Sequence, residues 1–342
     1  MNAALEVRTL LRRAGVRSHI FARFIHPDVA GEVFPLETYT ANSSGAADDV
    51  IVYHASIGQA EVTQFLLARP ERLVLLYHNI SPAEPFLPYD PAFAALLEGG
   101  RRELAELRGR VSLALAVSEF NATDLRAAGF PDVAVAPLIV DARRLVGVPP
   151  DPVATKALDD VEGPVVLFVG QLLPHKQAHT LLAAYHVVFT YLNPDCELFL
   201  VGPTRLARYH EVCQDFVEEL NLDGCEIVGA VSDPKLASYF RRADLFVTLS
   251  GHEGFCAPLL EAMAFGTPIV ARAAAAVPET LDGAGLLIGP QDGPLVAAEA
   301  IHEGLTNRVL RRQLVRAGSH RLDAFDPDRS RATLLDHLLS LT

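Results

Sequence analysis

Between residues 164 and 288 the chain returns again and again to a short apolar run followed by a stretch of helical periodicity. The runs are Pro164 to Val169, Glu197 to Val201, Cys225 to Gly229, Leu245 to Leu249, Ile269 to Ala271 and Leu286 to Ile288. Nothing in Leu245 to Leu249 alternates, so such a strand must be covered on both faces. Helices between successive strands supply that cover, and the pattern is that of a doubly wound parallel sheet.

The first half carries a looser version of the same alternation. Ser18 to Phe24, Val50 to Tyr53, Leu73 to Tyr77, Leu113 to Val117 and Val133 to Pro137 are expected strands. Glu61 to Leu67, Pro91 to Arg110 and Asn121 to Ala128 are expected helices, the long one interrupted at Gly99 and Gly100. Glu32 to Ala47 is polar and irregular enough for a loop. The chain opens on a helix pattern, with Leu5, Val7, Leu10 and Leu11 apolar before Gly15 closes it. The proline-rich stretch Val146 to Gly163 reads as a linker. The expected domains are 1–147 and 148–325, with a terminal helix at 326–342 packing back toward the first.

The densest chemistry lies between Asp244 and Thr280. Glu253 falls in the loop after a buried strand, and Pro258 suits the first turn of the helix that follows. Leu259, Leu260, Met263 and Ala264 give that helix an apolar stripe, and Glu261 lies between its members. Two carboxylates therefore flank a strand-to-helix turn, on the edge where open α/β sheets bind ligands. Free amides at the helix N-terminus can hold negative charge or hydroxyls. Gly170 ends an earlier strand, and Lys176 follows it at the beginning of a helix. A cation there suits the helix dipole poorly unless an anion such as phosphate joins it. His54, His78 and Ser118 also stand at expected strand ends. His78 is the stronger candidate of the two histidines, because Asn79 to Ser81 form a loop directly beyond it. Ser118 lacks a GxSxG elbow and reads as a helix cap.

Several classes are excluded or disfavoured. The chain has 42 acidic against 29 basic residues, a net charge of -13, which argues against nucleic acid. No GxxxxGK[ST] and no GxGxxG follows an expected strand, so neither a P-loop ATPase nor a nicotinamide dehydrogenase is indicated. The four cysteines form no CxxC pair, which points to a reducing compartment. Neither a signal peptide nor an apolar run of transmembrane length is visible, and cytoplasmic residence is the default. Asp326-Pro327-Asp328 precedes a helix and reads as a cap, and no metal site is expected.

With these residues in place the sequence resembles the retaining, nucleotide-sugar-dependent glycosyltransferases of family 4, from about residue 50 to residue 325. VVLFVGQLLPHK resembles the family's first donor-domain strand and phosphate loop, and EGFCAPLLE, from Glu253 to Glu261, its paired-glutamate motif. PIVARAAAAVPET resembles what normally follows. The resemblance implies a GT-B architecture, two Rossmann-like domains facing across a cleft. It implies a nucleotide-diphosphate sugar as co-substrate, an acceptor that cannot be read, and no bound metal or other cofactor. Lys176 would neutralise the diphosphate, Glu253 would sit by the donor sugar, and Glu261 would accept hydrogen bonds from the ribose. Backbone groups at Gly254, Phe255 and Cys256 would hold hydroxyls or diphosphate, beside Gly170 and Gln171 of the phosphate loop. His78 would approach the transferred sugar.

Two departures stand out. Gln171 occupies the place where the family normally has arginine, and glutamine cannot make a charge-assisted bidentate contact. Met1 to Gly15 begins on the helix beyond the family's first strand and glycine-rich loop, so the first domain is expected to lack its first strand. An uncovered edge in that sheet favours self-association. The competing functions are a catalytically weak binding or scaffold subunit, and a nucleotide-sugar hydrolase or epimerase of the same fold.

Overall fold

The computed structural model describes residues 2–39 and 49–341. The chain forms two compact units. The first contains β1 (Phe21–Ala22) and β2 (Phe34–Pro35), paired in parallel, and a separate sheet of β3 (Val50–Ala55), β4 (Arg72–Tyr77), β5 (Val111–Ala116) and β6 (Val133–Val135). That sheet is wholly parallel, and its strands lie side by side in chain order. Leu73 to Tyr77 are all buried, as an unbroken apolar run in a sheet covered on both faces requires. Val7 of the helix Asn2–Arg13, with Leu334 and Leu338 of the helix Pro327–Leu339, packs against Val74, Leu76 and Leu115. Arg331 and Glu6 join these two helices at 2.9 Å.

The looser first half shows where periodicity misleads. The expected strand from Ser18 to Phe24 shrinks to Phe21–Ala22, because its partner is only Phe34–Pro35 and proline has no amide to extend a ladder. That partner lies within the expected loop from Glu32, whose later residues 40–47 fall outside the described ones. The helix Pro91–Leu107 runs through Gly99 and Gly100 without interruption. A Cβ on Gly100 would come within 2.6 Å of the Gly58 backbone nitrogen, so glycine here permits a close approach and does not break the helix. Ser118 is the N-cap of the helix Glu119–Ala127 and accepts from the Asn121 amide, as expected.

The second unit spans Val140–Asp326 and takes in Pro82–Ala94 as well. Phe86 packs against the His175 ring at 5.3 Å, and Tyr89 meets Tyr209 edge-on at 5.0 Å. Its sheet consists of β7 (Val165–Val169), β8 (Glu197–Val201), β9 (Cys225–Gly229), β10 (Leu245–Thr248), β11 (Ile269–Arg272) and β12 (Leu286–Ile288). The strands are parallel in the order β9-β8-β7-β10-β11-β12. The chain leaves β7 in one direction and β10 in the other, so the switch point lies between these two strands. Toward the C-terminus Asn307 separates two helices, Pro294–Thr306 and Arg308–Leu322, and caps the second by accepting from the amides of Val309 and Leu310.

Candidate functional site

At the carboxyl ends of β7 and β10, two loops are tied to each other. The Gly251 amide donates to the His175 carbonyl at 2.9 Å. A Cβ on Gly251 would lie 2.6 Å from the Gln177 side-chain nitrogen, so the loops meet where one of them has no side chain. Behind them the Gly170 amide donates to the Val201 carbonyl at 2.9 Å, and a Cβ on Gly202 would lie 1.9 Å from the Gly170 oxygen. This close packing fixes the backbone where the sheet opens.

The loops bring Lys176 and Glu253 together. Lys176 Nζ donates to both carboxylate oxygens of Glu253 at 2.6 Å, and the two side chains are 18% and 7% exposed. Burial alone would lower the Lys176 pKa, but the adjoining carboxylate overrides it and holds the ammonium above its ordinary value. The Cys256 thiol faces the same carboxylate, and burial followed by that negative charge pushes it far up, so it remains a thiol. Cys256 also has φ of 68°, at the N-cap of the helix Ala257–Phe265. A non-glycine residue held there costs about 1–3 kcal/mol and marks an over-determined turn. The turn is anchored by the Thr280 hydroxyl, which donates to the Phe255 carbonyl at 2.8 Å, and by Phe255 against Phe325 at 5.5 Å. Gly254 lies between Glu253 and Phe255 in this turn.

Glu261 sits further along the same helix, which Gly266 ends with φ of 69°. Burial, reinforced by Asp233 and opposed by Arg144, pushes its carboxyl up to about 6. It makes no hydrogen bond among the described residues, whereas Arg144 and Asp233 pair with each other at 2.9 Å. Gln171 is exposed just beyond β7. Thus one sheet edge gathers Gly170, Gln171, Lys176, Glu253, Gly254, Phe255 and Cys256, while Glu261 lies within the helix, with Asp233 and Arg144 as its charged neighbours. The sequence did not single out His175, which is buried with no hydrogen-bond partner on its Nδ1 among the described residues. Its place directly before Lys176 was the available signal. No group of three or more His, Cys, Asp or Glu among the described residues could hold a metal ion.

His78 belongs to the first unit, directly after β4. It is not alone there. His54 Nδ1 and His78 Nε2 are 2.9 Å apart, with the rings inclined by 13°. Burial lowers both, His54 to about 3 with the neighbouring His78 contributing, and His78 to about 4. Both rings are therefore neutral at physiological pH. Beyond His78, Asn79 takes φ of 83° and its side chain donates to Asn121 at 2.7 Å.

The second unit has recognisable relatives. Residues 154–321 match the glycosyl transferases group 1 family. The matched region is just under half of the chain and contains the whole Lys176–Glu253 site. The chain is 31% identical over 140 residues to the O-antigen chain mannosyltransferase B of Escherichia coli, covering 40% of this chain and 35% of that protein. It is 33% identical over 172 residues to the phosphatidyl-myo-inositol mannosyltransferase of Mycobacterium tuberculosis H37Rv, covering 48% and 44%. The matches thus span less than half the length of these curated relatives. Among solved structures, sucrose-phosphate synthase from Thermosynechococcus elongatus superposes with a TM-score of 0.77 at 22% identity, over 98% of this chain and 92% of that one. Anabaena HepE in complex with UDP and glucose superposes with a TM-score of 0.73 at 20% identity, over 97% and 89%. The fold is GT-B-like, with two Rossmann-like units. No helix among the described residues is long and apolar enough to cross a membrane.

Proposed function

We propose that this chain moves a hexosyl unit from a nucleotide-diphosphate sugar to an acceptor, with the anomeric configuration retained. The observation that carries the reading is the buried Lys176–Glu253 pair at the switch point of the second sheet, within the segment that matches the glycosyl transferases group 1 family. As the bond from the anomeric carbon to the diphosphate oxygen breaks, negative charge gathers on the leaving group, and the Lys176 ammonium stabilises it. The acceptor oxygen bonds to the anomeric carbon from the same face, and its proton departs on the leaving phosphate oxygen. Glu253 holds Lys176 charged and lies beside the donor sugar. The amides of Gly254, Phe255 and Cys256, aligned by the turn, receive diphosphate or hydroxyl oxygens. Glu261 accepts from the ribose hydroxyls, its carboxylate having no hydrogen-bond partner among the described residues. His78 approaches the transferred sugar.

The relatives named as mannosyltransferases, and the neighbour solved with UDP and glucose, support a nucleotide-sugar donor. The residues assigned here are the chain's own and require no metal. The four free cysteines suit the cytoplasm, where we place the protein. Calorimetric titration of the purified chain against UDP, GDP, ADP and dTDP sugars tests the reading. We expect saturable binding of one donor class, weakened by Glu261→Ala at least about tenfold, the loss of a hydrogen bond to a charged group. Affinity should fall as pH drops below about 6, where Glu261 takes up its proton. Binding of no donor, or an affinity indifferent to Glu261→Ala, would overturn it. Donor consumption without any acceptor would replace transfer by hydrolysis.

A further inference from the structure

The first unit contains a pair of half-buried imidazoles, and the mechanism above uses only one of them. Strand register explains why they meet. β3 and β4 are parallel with His54 opposite Leu76, and side chains two residues apart share a face, so His78 follows Leu76 on the side that His54 occupies. The ladder continues past β4, with the His78 amide donating to the Ala55 carbonyl at 2.9 Å. The contact between His54 Nδ1 and His78 Nε2, at 2.9 Å, is thus built into two adjacent strands and does not depend on a mobile loop.

We propose that His54 is a positioning residue that sets the tautomer of His78, so that the two rings bind a sugar hydroxyl as one unit. The inference rests on the transfer reading for the identity of the ligand, and on geometry alone for the pairing. A neutral imidazole carries one ring proton, so a neutral pair carries two. One of these lies in the shared hydrogen bond. Only one is left for the two remaining nitrogens, His54 Nε2 and His78 Nδ1, neither of which has a hydrogen-bond partner among the described residues. If His54 Nδ1 donates, His78 Nδ1 must carry a proton and act as a donor. If His78 Nε2 donates, His78 Nδ1 is bare and acts as an acceptor. A lone His78 would choose its tautomer independently, whereas in the pair both rings must switch together, the shared proton crossing one way as the outer proton is exchanged through solvent between His78 Nδ1 and His54 Nε2.

No carboxylate offsets the lowered basicity of either ring, and burial is the leading cause for both. The pair therefore stays neutral at physiological pH, with one proton on each ring. The imidazoles offer a hydroxyl a donor or an acceptor without bringing a charge to the sugar.

The test uses the full chain labelled with 15N at histidine. In the wild type, the nitrogen shifts of His54 and His78 at pH 7 should report neutral rings with complementary tautomers. In His54→Phe, His78 should show a mixture of tautomers. Turnover should fall about 10- to 100-fold, up to the lower end of what a positioned proton-transfer group contributes, and donor affinity by calorimetry should fall by less than turnover. His54→Gln, whose side-chain amide can donate to or accept from His78 Nε2, should keep His78 hydrogen-bonded and restore part of the rate. An unchanged His78 tautomer in His54→Phe, or equal rates in the Phe and Gln variants, would overturn the proposal. If His54→Phe does not fold, independent tautomers in the wild-type spectrum would overturn it alone. Failure of the transfer reading would appear elsewhere, as absent donor binding in the wild type.

Discussion

Each unit holds a pair of titratable side chains at the carboxyl end of parallel strands, and the two pairs have opposite electrical character. Lys176 and Glu253 are an ion pair with a buried carboxylate, whereas His54 and His78 are a half-buried neutral pair. Burial acts on both in the same sense, against charge. What differs is the partner. A carboxylate 2.6 Å from the lysine more than offsets desolvation, while an imidazole beside an imidazole offers nothing to offset it. The depth of a site therefore does not determine its ionisation state; the nearest neighbour does. The second unit can present a fixed positive charge, and the first a hydrogen-bonding surface without one.

The sharpest way to break this contrast is Glu253→Gln. It leaves the Lys176 ammonium buried beside a neutral amide, and removing one partner of a buried ion pair costs roughly 3–5 kcal/mol of stability. Lys176 should then titrate below its ordinary range, and turnover should drop by about two to three orders of magnitude as the leaving group loses its counter-charge. Urea unfolding and transfer kinetics read the two effects. A stable, fully active variant would mean that the lysine needs no partner to remain charged.

Acid should separate the pairs next. In the unfolded chain a histidine titrates near 6.5, whereas folded His54 and His78 sit at about 3 and about 4. The unfolded state therefore binds more protons below pH 6.5. The stability this contributes is complete above that pH and is lost as pH falls toward 4, by about 1.4 kcal/mol per pH unit for each ring. Unfolding free energies at pH 7 and pH 5 should differ less in a His54→Phe, His78→Phe double variant than in the wild type. Equal slopes would mean that the imidazoles are not held neutral.

The smallest effect belongs to Gln171→Arg. Exposed just beyond β7, the new guanidinium would add a screened contact to a bound diphosphate, and donor affinity should rise by about three- to tenfold. The gain should shrink at high salt. An unchanged affinity would show that the phosphate is held by backbone and Lys176 alone.

How much of this was legible in the sequence depends on how local each feature is. β8, β9 and β12 coincide with their expected ranges, because short runs rich in apolar and β-branched residues between turn residues mark strands even at the sheet edges, where β9 and β12 lie. The loop glycines, Lys176 and the Glu253 to Glu261 spacing were visible for the same reason. Contacts set by strand order were not. Lys176 and Glu253 are separated by 77 residues and meet because β7 and β10 are neighbours across the switch point. His54 looked like an isolated strand-end histidine until β3 and β4 were laid side by side. Gly99 and Gly100 read as a helix break because propensity does not record that Gly58 lies against Gly100. The placement of Pro82–Ala94 with the second unit likewise turns on ring contacts far away in sequence, such as Phe86 with His175.

Strand register makes the histidine pair sensitive to a kind of genetic change that conservative replacement would not disclose. Side chains alternate across a strand, so inserting or deleting one residue within β3, with the ladder to β4 re-formed, turns His54 to the opposite face. The composition of the strand would hardly change, and Val50 and Val52 would exchange places with equally apolar neighbours. Substitution scanning of β3 should therefore tolerate many apolar replacements around His54, while single-codon insertions and deletions there should be nearly as damaging as replacing the histidine itself.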